Sequence, residues 1–187
     1  MPRVAILASY NGSGFVALYE AMQSGKLSIE IPLVISNNSS ATVLEKAASY
    51  GIDHFVLNTK TETNPDIAIE QLLHKYRCDF IFLSGYMKKV GANITQNFKV
   101  INSHPSLLPN YGGAGMYGRF VHEAVIKNSE KVSGVTLHEV DENYDEGKII
   151  LQKKLSLVKD ETTNSLEAKI KELEKIAIVE AFQALIS

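Results

Sequence analysis

Short apolar runs alternate with helix-like segments through the first half of the chain, and this alternation limits the possible folds most. The apolar runs cover residues 4–8, 29–36, 54–57, 79–83 and 99–103. The segments between them have helical apolar spacing and cover residues 15–22, 42–50, 65–76 and 90–97. Strands that alternate with helices are typical of a parallel sheet covered on both faces. The sequence therefore predicts an α/β protein.

The second half of the chain predicts a different ending for the sheet. Residues 119–127 are predicted to form a helix, and residues 131–140 and 147–158 to form strands. Their connection, residues 141–146, is too short for a crossover helix, so the two strands should be antiparallel neighbours. A long closing helix follows from residue 162, and its predicted buried face comprises Leu166, Ile170, Leu173, Ile176, Ala177 and Phe182. We expect one Rossmann-like domain over residues 1–187, with a mostly parallel twisted sheet, a C-terminal antiparallel strand pair and a closing helix.

Composition and cysteine count exclude several functional classes. A net charge of −2 over 187 residues gives no general affinity for nucleic acid. The single cysteine, Cys78, excludes an internal disulfide and a cysteine-rich zinc site. The histidines lack the spacing of a metal site, so we predict no metal. No secretory signal or membrane-length apolar run is present, so we expect a cytoplasmic protein with no membrane or nucleic-acid partner.

The segment 101–109, Ile-Asn-Ser-His-Pro-Ser-Leu-Leu-Pro, combines an amide, an imidazole and two prolines at the end of a predicted strand. Residues two apart on a strand point to the same side, so Asn102 and His104 should project together. That pair places a hydrogen-bond donor beside a group that can carry a proton near neutral pH. The simpler interpretation is a structural histidine at a rigid turn.

A glycine loop, Gly12-Ser13-Gly14, separates the first predicted strand from its helix and formally fits the dinucleotide-binding fingerprint. An oxidoreductase is therefore a competing hypothesis. The acidic residue expected after the second strand is absent, because Ser36, Asn37 and Asn38 stand there. We interpret the loop as a site for a single phosphate at a helix N-terminus; a packing turn without a ligand is the alternative.

Two further loops are open to more than one interpretation. The glycine-rich segment 110–118 is either a surface connection or a flap that faces a substrate. The acidic segment 141–146 is ordinarily a solvated turn, and it lacks the oxygen-ligand spacing of a calcium loop.

Four motifs together resemble one known family. They lie at residues 9–13, 84–87, 101–109 and 144–152, in an order and spacing similar to those of the phosphoribosylglycinamide formyltransferases of purine biosynthesis. These enzymes belong to the folate-dependent formyltransferase superfamily, and the resemblance covers essentially the whole chain. It implies transfer of a formyl group from the co-substrate 10-formyltetrahydrofolate to the amine of N1-(5-phosphoribosyl)glycinamide. The N-terminal half would then bind the phosphate and ribonucleotide, and the C-terminal half would bind folate and carry out catalysis.

The resemblance also implies roles for individual residues. The implied catalytic residues are Asn102, His104 and Asp145. The implied substrate-binding residues are Gly12, Ser13, Gly14, Pro105, Lys171 and Glu174. The implied folate-binding residues are Met87, Lys88, Lys89, Val90, Asn102, Asp141, Glu142, Asn143, Tyr144 and Asp145.

The chain departs from the family pattern at several of these positions. Gly14 replaces a common asparagine, Lys88 a usual arginine, and Lys89 a usual apolar residue. Lys175 replaces the histidine of a usual Glu-His pair, and residues 115–118 replace a stretch that usually contains histidines.

Two other functions remain open at this point. One is a sugar-amine formyltransferase that uses the same folate donor with a different amine pocket. The other is a non-catalytic nucleotide-binding module with the same fold. In the enzymatic cases the partners are small molecules, and the chain is expected to be a monomer or homodimer.

Overall fold

A computed structural model describes residues 1–187. In chain order its elements are β1 (Val4–Leu7), α1 (Ser13–Gln23), β2 (Leu33–Ser36), α2 (Thr42–Ser49), β3 (Asp53–Val56), α3 (Pro65–Lys75), β4 (Phe80–Leu83), α4 (Ala92–Thr95), β5 (Lys99–His104), α5 (Arg119–Lys127), β6 (Val132–Glu139), β7 (Ile149–Ser156) and α6 (Thr163–Ile186).

The strands form a seven-stranded sheet in the order β3-β2-β1-β4-β5-β6-β7. Strands β1 to β4 pair in parallel, whereas β6 and β7 are antiparallel. The predicted α/β class, mostly parallel sheet, C-terminal antiparallel pair and closing helix are confirmed. The chain divides into two compact units, residues 1–101 and 102–187, which are described separately below.

In the unit formed by residues 1–101, β1 is fully buried and pairs with β2 and β4. The prediction that the second strand starts at residue 29 is wrong, because the strand begins at Leu33. Pro32 explains the later start, since proline has no N–H to give to a sheet ladder. Ile29 and Ile31 are nevertheless buried, and Glu30 forms an isolated bridge with Arg3.

In the unit formed by residues 102–187, α6 packs against the β6–β7 pair and against α5. Its buried residues are Leu166, Ile170, Ala177, Ile178, Ala181 and Phe182. Ile176 was predicted to be buried and is 54% exposed, so that prediction is wrong; Leu173 is only half-buried. At 3.6 residues per turn, the stripe that contains Ile170 and Ala177 passes through position 174 instead. Glu174, which is half-buried like Leu173, therefore lies along this stripe.

None of the helices combines the length and apolar character needed to cross a membrane.

Candidate active site

Strand β5 ends with Asn102 and His104, which point to the same side as the strand alternation requires. His104 is 3% exposed. Its Nε2 lies 2.7 Å from the backbone carbonyl oxygen of Tyr111. A carbonyl oxygen can only accept, so Nε2 carries a hydrogen. The other ring nitrogen, Nδ1, therefore determines what His104 can do chemically.

Asp145 faces Nδ1 of His104. Its Oδ2 lies 3.6 Å from Nδ1 and accepts the backbone N–H of Gly113 at 2.9 Å. Asp145 has a φ of 57°, a left-handed conformation that aspartate and asparagine tolerate better than most residues. Its side chain is only 12% exposed. The other carboxylates of this acidic loop, on Asp141, Glu142 and Glu146, all belong to exposed residues.

The His104 ring thus lies between two acceptors, the Tyr111 carbonyl and the Asp145 carboxylate. The contact to Tyr111 is a hydrogen bond, whereas the 3.6 Å between Nδ1 and Oδ2 of Asp145 is too long for one. Asp145 therefore faces Nδ1, the ring nitrogen that is free to exchange a proton.

A fourth residue, His138 on β6, joins this cluster and was missed by the sequence analysis. Its Nε2 lies 3.2 Å from Nδ2 of Asn102 and 3.5 Å from Oδ1 of Asp145. Its Nδ1 lies 3.1 Å from the carbonyl oxygen of Glu139, so Nδ1 carries the hydrogen and Nε2 accepts from the Asn102 amide. Burial is the main cause that lowers the pKa of His138, which keeps the ring neutral.

The signal for His138 was its position in the strand. It lies two residues after Thr136 in a strand whose interior is buried, so a polar side chain there points inward on the face that carries Thr136. The pairing register shifts between Leu137 and His138. Such irregularities commonly redirect side chains next to functional sites. No pattern in the sequence predicts this one.

Hydrogen bonds also fix the turn after His104. The Thr136 hydroxyl donates to the carbonyl of Ser106 at 2.7 Å and accepts the N–H of Leu108 at 3.0 Å. Gln152 on β7 donates to the carbonyl of Leu108 at 2.8 Å. The turn is therefore bound to both strands of the hairpin, which limits its freedom and holds the end of β5 in place.

Gly147 allows the loop that carries Asp145 to pass close to β6. A Cβ at Gly147 would lie 1.8 Å from the backbone carbonyl oxygen of Glu139, and the N–H of Glu139 bonds to the carbonyl of Lys148 at 2.8 Å. A side chain at position 147 would therefore push the two strands apart just beyond Asp145.

We expect Gly147→Ala to reduce the free energy of unfolding by about 1–3 kcal/mol, because the added methyl overpacks a backbone contact. Denaturant unfolding of the variant measures this loss. Glu146→Ala is the matched control, since Glu146 is exposed. An unchanged unfolding midpoint in Gly147→Ala would contradict the close approach.

In the unit formed by residues 1–101, Ser9 connects the loops that follow three strands. Its hydroxyl donates to Oδ1 of Asn37 at 2.6 Å and accepts the backbone N–H of Met87 at 2.8 Å. Its backbone carbonyl accepts from Nδ2 of Asn38 at 3.1 Å. The loops after β1, β2 and β4 are thereby held together at the carboxyl ends of parallel strands, where ligands of such sheets bind.

The glycine loop leads directly into α1. Gly12 has a φ of 62°, and a Cβ there would lie 2.4 Å from Cγ2 of Val43 on α2, so packing alone requires glycine at this position. The backbone N–H of Gly14 has no acceptor within the protein, and the Ser13 residue is exposed. The Nζ of Lys46 lies 2.6 Å from the carbonyl oxygen of Asn11. The loop therefore offers hydrogen-bond donors and a nearby cation to an anion.

A groove of about 490 Å³ lies beside these loops. It is lined by Asn37, Asn38, Ser39, Leu57, Asn58, Thr59, Lys60, Asn64, Pro65, Asp66, Tyr86 and Lys88. The ammonium groups of Lys60 and Lys88 form no ion pair or hydrogen bond within the protein. Burial, and then the charge of Asp66, raise the pKa of Tyr86 to about 12, so its phenol remains protonated. The groove is polar, and its lysines outnumber its single carboxylate.

The remaining sequence-predicted site residues lie in varied surroundings. Met87, Lys88 and Lys89 are exposed, whereas Val90 is buried. Asp141, Glu142, Asn143 and Tyr144 form an exposed loop in which Asp141 accepts the N–H of Asn143 at 2.8 Å. Pro105 is half-buried, and the exposed Lys171 pairs with Glu167 at 2.8 Å. No group of three or more His, Cys, Asp or Glu side chains is arranged to hold a metal ion.

Comparison with known proteins places the chain in one family. The model of the formyl transferase family matches residues 2–182. The phosphoribosylglycinamide formyltransferase of Bacillus subtilis is 33% identical over 93% of this chain and 89% of its own length. The crystal structure of phosphoribosylglycinamide formyltransferase from Bacillus halodurans superposes with a TM-score of 0.90 at 33% identity, covering 99% of this chain and 95% of that one.

The chain belongs to the formyl transferase family. Among its relatives are also the chloroplastic phosphoribosylglycinamide formyltransferases of Vigna unguiculata, 33% identical over 98% of this chain, and of Arabidopsis thaliana, 32% identical over 98%. The chain spans 60% and 65% of the length of these two plant relatives.

Proposed function

We propose that the protein transfers a formyl group from 10-formyltetrahydrofolate to the amine of N1-(5-phosphoribosyl)glycinamide, a step of purine biosynthesis. The observation that carries the proposal is the buried cluster of Asn102, His104, His138 and Asp145 in a chain of the formyl transferase family. The cluster combines an amide donor, a proton-carrying imidazole and a carboxylate, which are the groups that acyl transfer between two nitrogens requires.

Asn102 stabilises the negative charge that develops on the formyl oxygen when the amine attacks. Its Nδ2 carries two hydrogens, and one of them is directed to Nε2 of His138. The second hydrogen is then available to the oxygen. Because His138 is buried and neutral, it accepts from Asn102 and does not compete as a charged donor.

His104 and Asp145 manage the proton in this proposal. Nε2 of His104 is committed to the Tyr111 carbonyl, so Nδ1 is the nitrogen that can reach a reacting group. The Asp145 carboxylate orients Nδ1 of His104, or holds a water that relays a proton from the attacking to the leaving nitrogen. No covalent intermediate with the enzyme is needed.

The glycine loop binds the substrate phosphate in this scheme. The free N–H of Gly14 and the hydroxyl of Ser13 supply donors at the N-terminus of α1, which favours negative charge. Lys46 adds a positive charge beside the carbonyl of Asn11. These groups match a phosphate better than the two-phosphate bridge of a dinucleotide, because no acidic residue follows β2 to hold a ribose.

The groove beside Lys88 suits the anionic end of the formyl donor. A folate ends in a glutamate whose carboxylates are negative at neutral pH, and Lys60 and Lys88 both line the groove without a partner. The Tyr86 phenol and the carboxamides of Asn37 and Asn58 add neutral polar groups. The groove therefore supplies charge and hydrogen bonding of the kind that a carboxylate tail needs.

We expect Lys60→Ala and Lys88→Ala each to raise the KM for 10-formyltetrahydrofolate about two- to five-fold, with little change in kcat. Exposed ion pairs typically contribute at most about 1 kcal/mol, and the effect should shrink at high salt. Lys127→Ala, an exposed lysine on α5, is the control. An unchanged KM in both variants would show that the groove does not bind the formyl donor.

The proposed function is tested by mixing the protein with 10-formyltetrahydrofolate and N1-(5-phosphoribosyl)glycinamide and following release of tetrahydrofolate. Formylated glycinamide ribonucleotide in stoichiometric amount supports the proposal. Formylation of a nucleotide-sugar amine in place of the glycinamide would assign the alternative formyltransferase activity. Binding of the ribonucleotide without turnover would assign a binding module.

The proposal also covers the domain organisation, the location and the partners of the protein. Residues 1–187 act as one formyltransferase domain. The N-terminal half binds the ribonucleotide and, through the groove, the anionic end of the folate, and the C-terminal half binds the rest of the folate and carries the chemistry. The protein acts in the cytoplasm on small molecules, without nucleic acid or membrane, as a monomer or homodimer.

A further inference from the structure

Tyr111 has an uncommon backbone conformation at the start of the glycine-rich segment. Its φ is 56°, in the left-handed region that residues with a Cβ seldom adopt. Its carbonyl oxygen is the acceptor that lies 2.7 Å from Nε2 of His104. Gly112 follows, and a glycine gives little resistance to rotation of the peptide plane between the two residues. Another contact must therefore keep the carbonyl directed at the ring.

The side chain of Tyr111 supplies that contact at the C-terminal end of α5. Its hydroxyl donates to Oε1 of Glu130 at 2.7 Å and accepts from Nδ2 of Asn128 at 3.0 Å. The two partners lie outside the buried cluster, and both are exposed. A phenol that donates to one residue and accepts from another has its position fixed by both, and the backbone of Tyr111 is fixed with it.

The end of α5 is itself held by backbone hydrogen bonds. The N–H of Ser129 bonds to the carbonyl of Ile126 at 3.0 Å, and the N–H of Glu130 bonds to the carbonyl of Val125 at 3.2 Å. With Ser129 at a φ of 52°, these two bonds form the Schellman motif that ends many helices. Asn128 and Glu130 flank the left-handed residue, so the motif determines where the two partners of the phenol lie.

The proton of a neutral His104 ring has two competing acceptors. The Tyr111 carbonyl favours the proton on Nε2, and the carboxylate of Asp145, 3.6 Å from Nδ1, favours it on Nδ1. A neutral imidazole carries a hydrogen on only one nitrogen. With the hydrogen on Nε2, Nδ1 can accept a proton from an attacking amine; with the hydrogen on Nδ1, it cannot.

We propose that Tyr111 is a positioning residue whose phenol is held by the C-terminal turn of α5, so that its carbonyl keeps the proton of His104 on Nε2. The kinetic consequence rests on the proposed function and deepens it, because it gives the end of α5 a part in preparing Nδ1 for proton transfer. The tautomer of His104 is a property of the free protein and can be measured without either substrate.

The first test measures the tautomer in the full chain labelled with ¹⁵N-histidine, at a pH where the ring is neutral. Tyr111→Phe removes the hydroxyl and keeps the ring, and Glu130→Ala removes the acceptor of that hydroxyl. Two-bond ¹H–¹⁵N correlations report which nitrogen carries the hydrogen, and the signals of His104 are assigned by their loss in His104→Gln. The wild-type ring should carry its hydrogen on Nε2, and each variant should shift the ratio toward Nδ1 about five-fold, as expected for a lost hydrogen bond.

The second test asks whether turnover follows the tautomer. In Tyr111→Phe and Glu130→Ala, kcat should fall about three-fold with both KM values unchanged, because a smaller fraction of molecules holds the competent ring. Glu130→Gln keeps an acceptor for the phenol and should restore the tautomer ratio and kcat. The double variant should be no slower than either single variant, since both changes remove the same bond.

Tyr76→Phe is the matched control. The Tyr76 hydroxyl donates to Oδ2 of Asp53 at 2.6 Å, and this bond is also exposed. Its loss removes a phenol–carboxylate bond of the same kind that involves no residue of the cluster. The tautomer of His104 and kcat should therefore both stay at their wild-type values.

Two results would overturn the inference. One is a tautomer ratio that stays at its wild-type value in both Tyr111→Phe and Glu130→Ala. The other is a wild-type ring that already carries its hydrogen mainly on Nδ1. A wild-type protein that does not formylate the glycinamide would instead overturn the proposed function, and the tautomer measurement would still decide whether Tyr111 positions the ring.

Discussion

Asp145→Asn is expected to lower the turnover of formyl transfer by about 10²–10⁴, the range over which positioned acid–base groups contribute. The change removes the negative charge beside Nδ1 of His104 at almost constant shape. Without that charge, the carboxylate that orients Nδ1 and relays the proton is lost, and proton transfer between the two nitrogens slows.

The structure indicates that Asp145→Asn should remove the charge with little change in the fold. Asparagine tolerates the left-handed backbone that Asp145 adopts. Its amide oxygen can still accept the N–H of Gly113, and its amide nitrogen occupies the place of the Oδ1 that lies 3.5 Å from Nε2 of His138. The fold should therefore survive, and the loss should appear in kcat.

Glu146→Gln is the matched control for this experiment. It removes a neighbouring charge from an exposed residue of the same loop, and turnover should stay within about two-fold of the parent because surface charges at this distance are largely screened. Similar losses in both variants would show that the net charge of the loop matters, rather than the carboxylate facing His104. Full activity in Asp145→Asn would require another route for the proton.

Asn102→Ala is expected to reduce turnover by about 10²–10³, as is typical when one donor to a developing oxyanion is removed. The variant should fold, because Asn102 is half-buried and its side-chain amide contacts the ring of His138. Asn164→Ala at the start of α6, where the amide bonds Arg119, is a control asparagine outside the cluster.

His138→Phe tests how the amide of Asn102 is oriented. The phenyl ring fills similar space but offers no acceptor, so the Asn102 amide should lose its fixed orientation and turnover should fall about ten-fold. The double variant should be no slower than Asn102→Ala alone, because His138 acts through Asn102. Losses that multiply in the double variant would instead give His138 an independent role.

Much of the fold follows from local patterns in the chain. The alternation of apolar runs and helical segments predicts the α/β sheet, and the short connection over residues 141–146 predicts the antiparallel pair. Two-residue periodicity places Asn102 and His104 on one side of β5. Local patterns fail where one residue overrides its neighbours, as Pro32 does when it moves the start of β2 to Leu33. They also fail where the buried face of a helix differs from the predicted one, as in α6, where Ile176 is exposed.

The candidate site was less accessible to sequence reasoning alone. Composition cannot rank the four carboxylates between residues 141 and 146, and Asp145 was selected by resemblance to a family. Its burial among exposed neighbours became visible only in three dimensions. His138 depends on an irregular register between β6 and β7, and the bond between Ser103 and Glu174 joins residues far apart in the chain. Such long-range contacts leave no periodic signal.

The start of the glycine-rich segment contacts the cluster through its backbone only, with the Tyr111 carbonyl on His104 and the Gly113 N–H on Asp145. Residues 114–118 supply neither of these two main-chain contacts, so their side chains can vary without changing either one. Insertions or deletions between residues 105 and 113 are different, because they would change the spacing of that carbonyl and that N–H. We therefore expect residues 114–118 to tolerate wide drift in composition across natural variants, and residues 105–113 to tolerate very little drift in length.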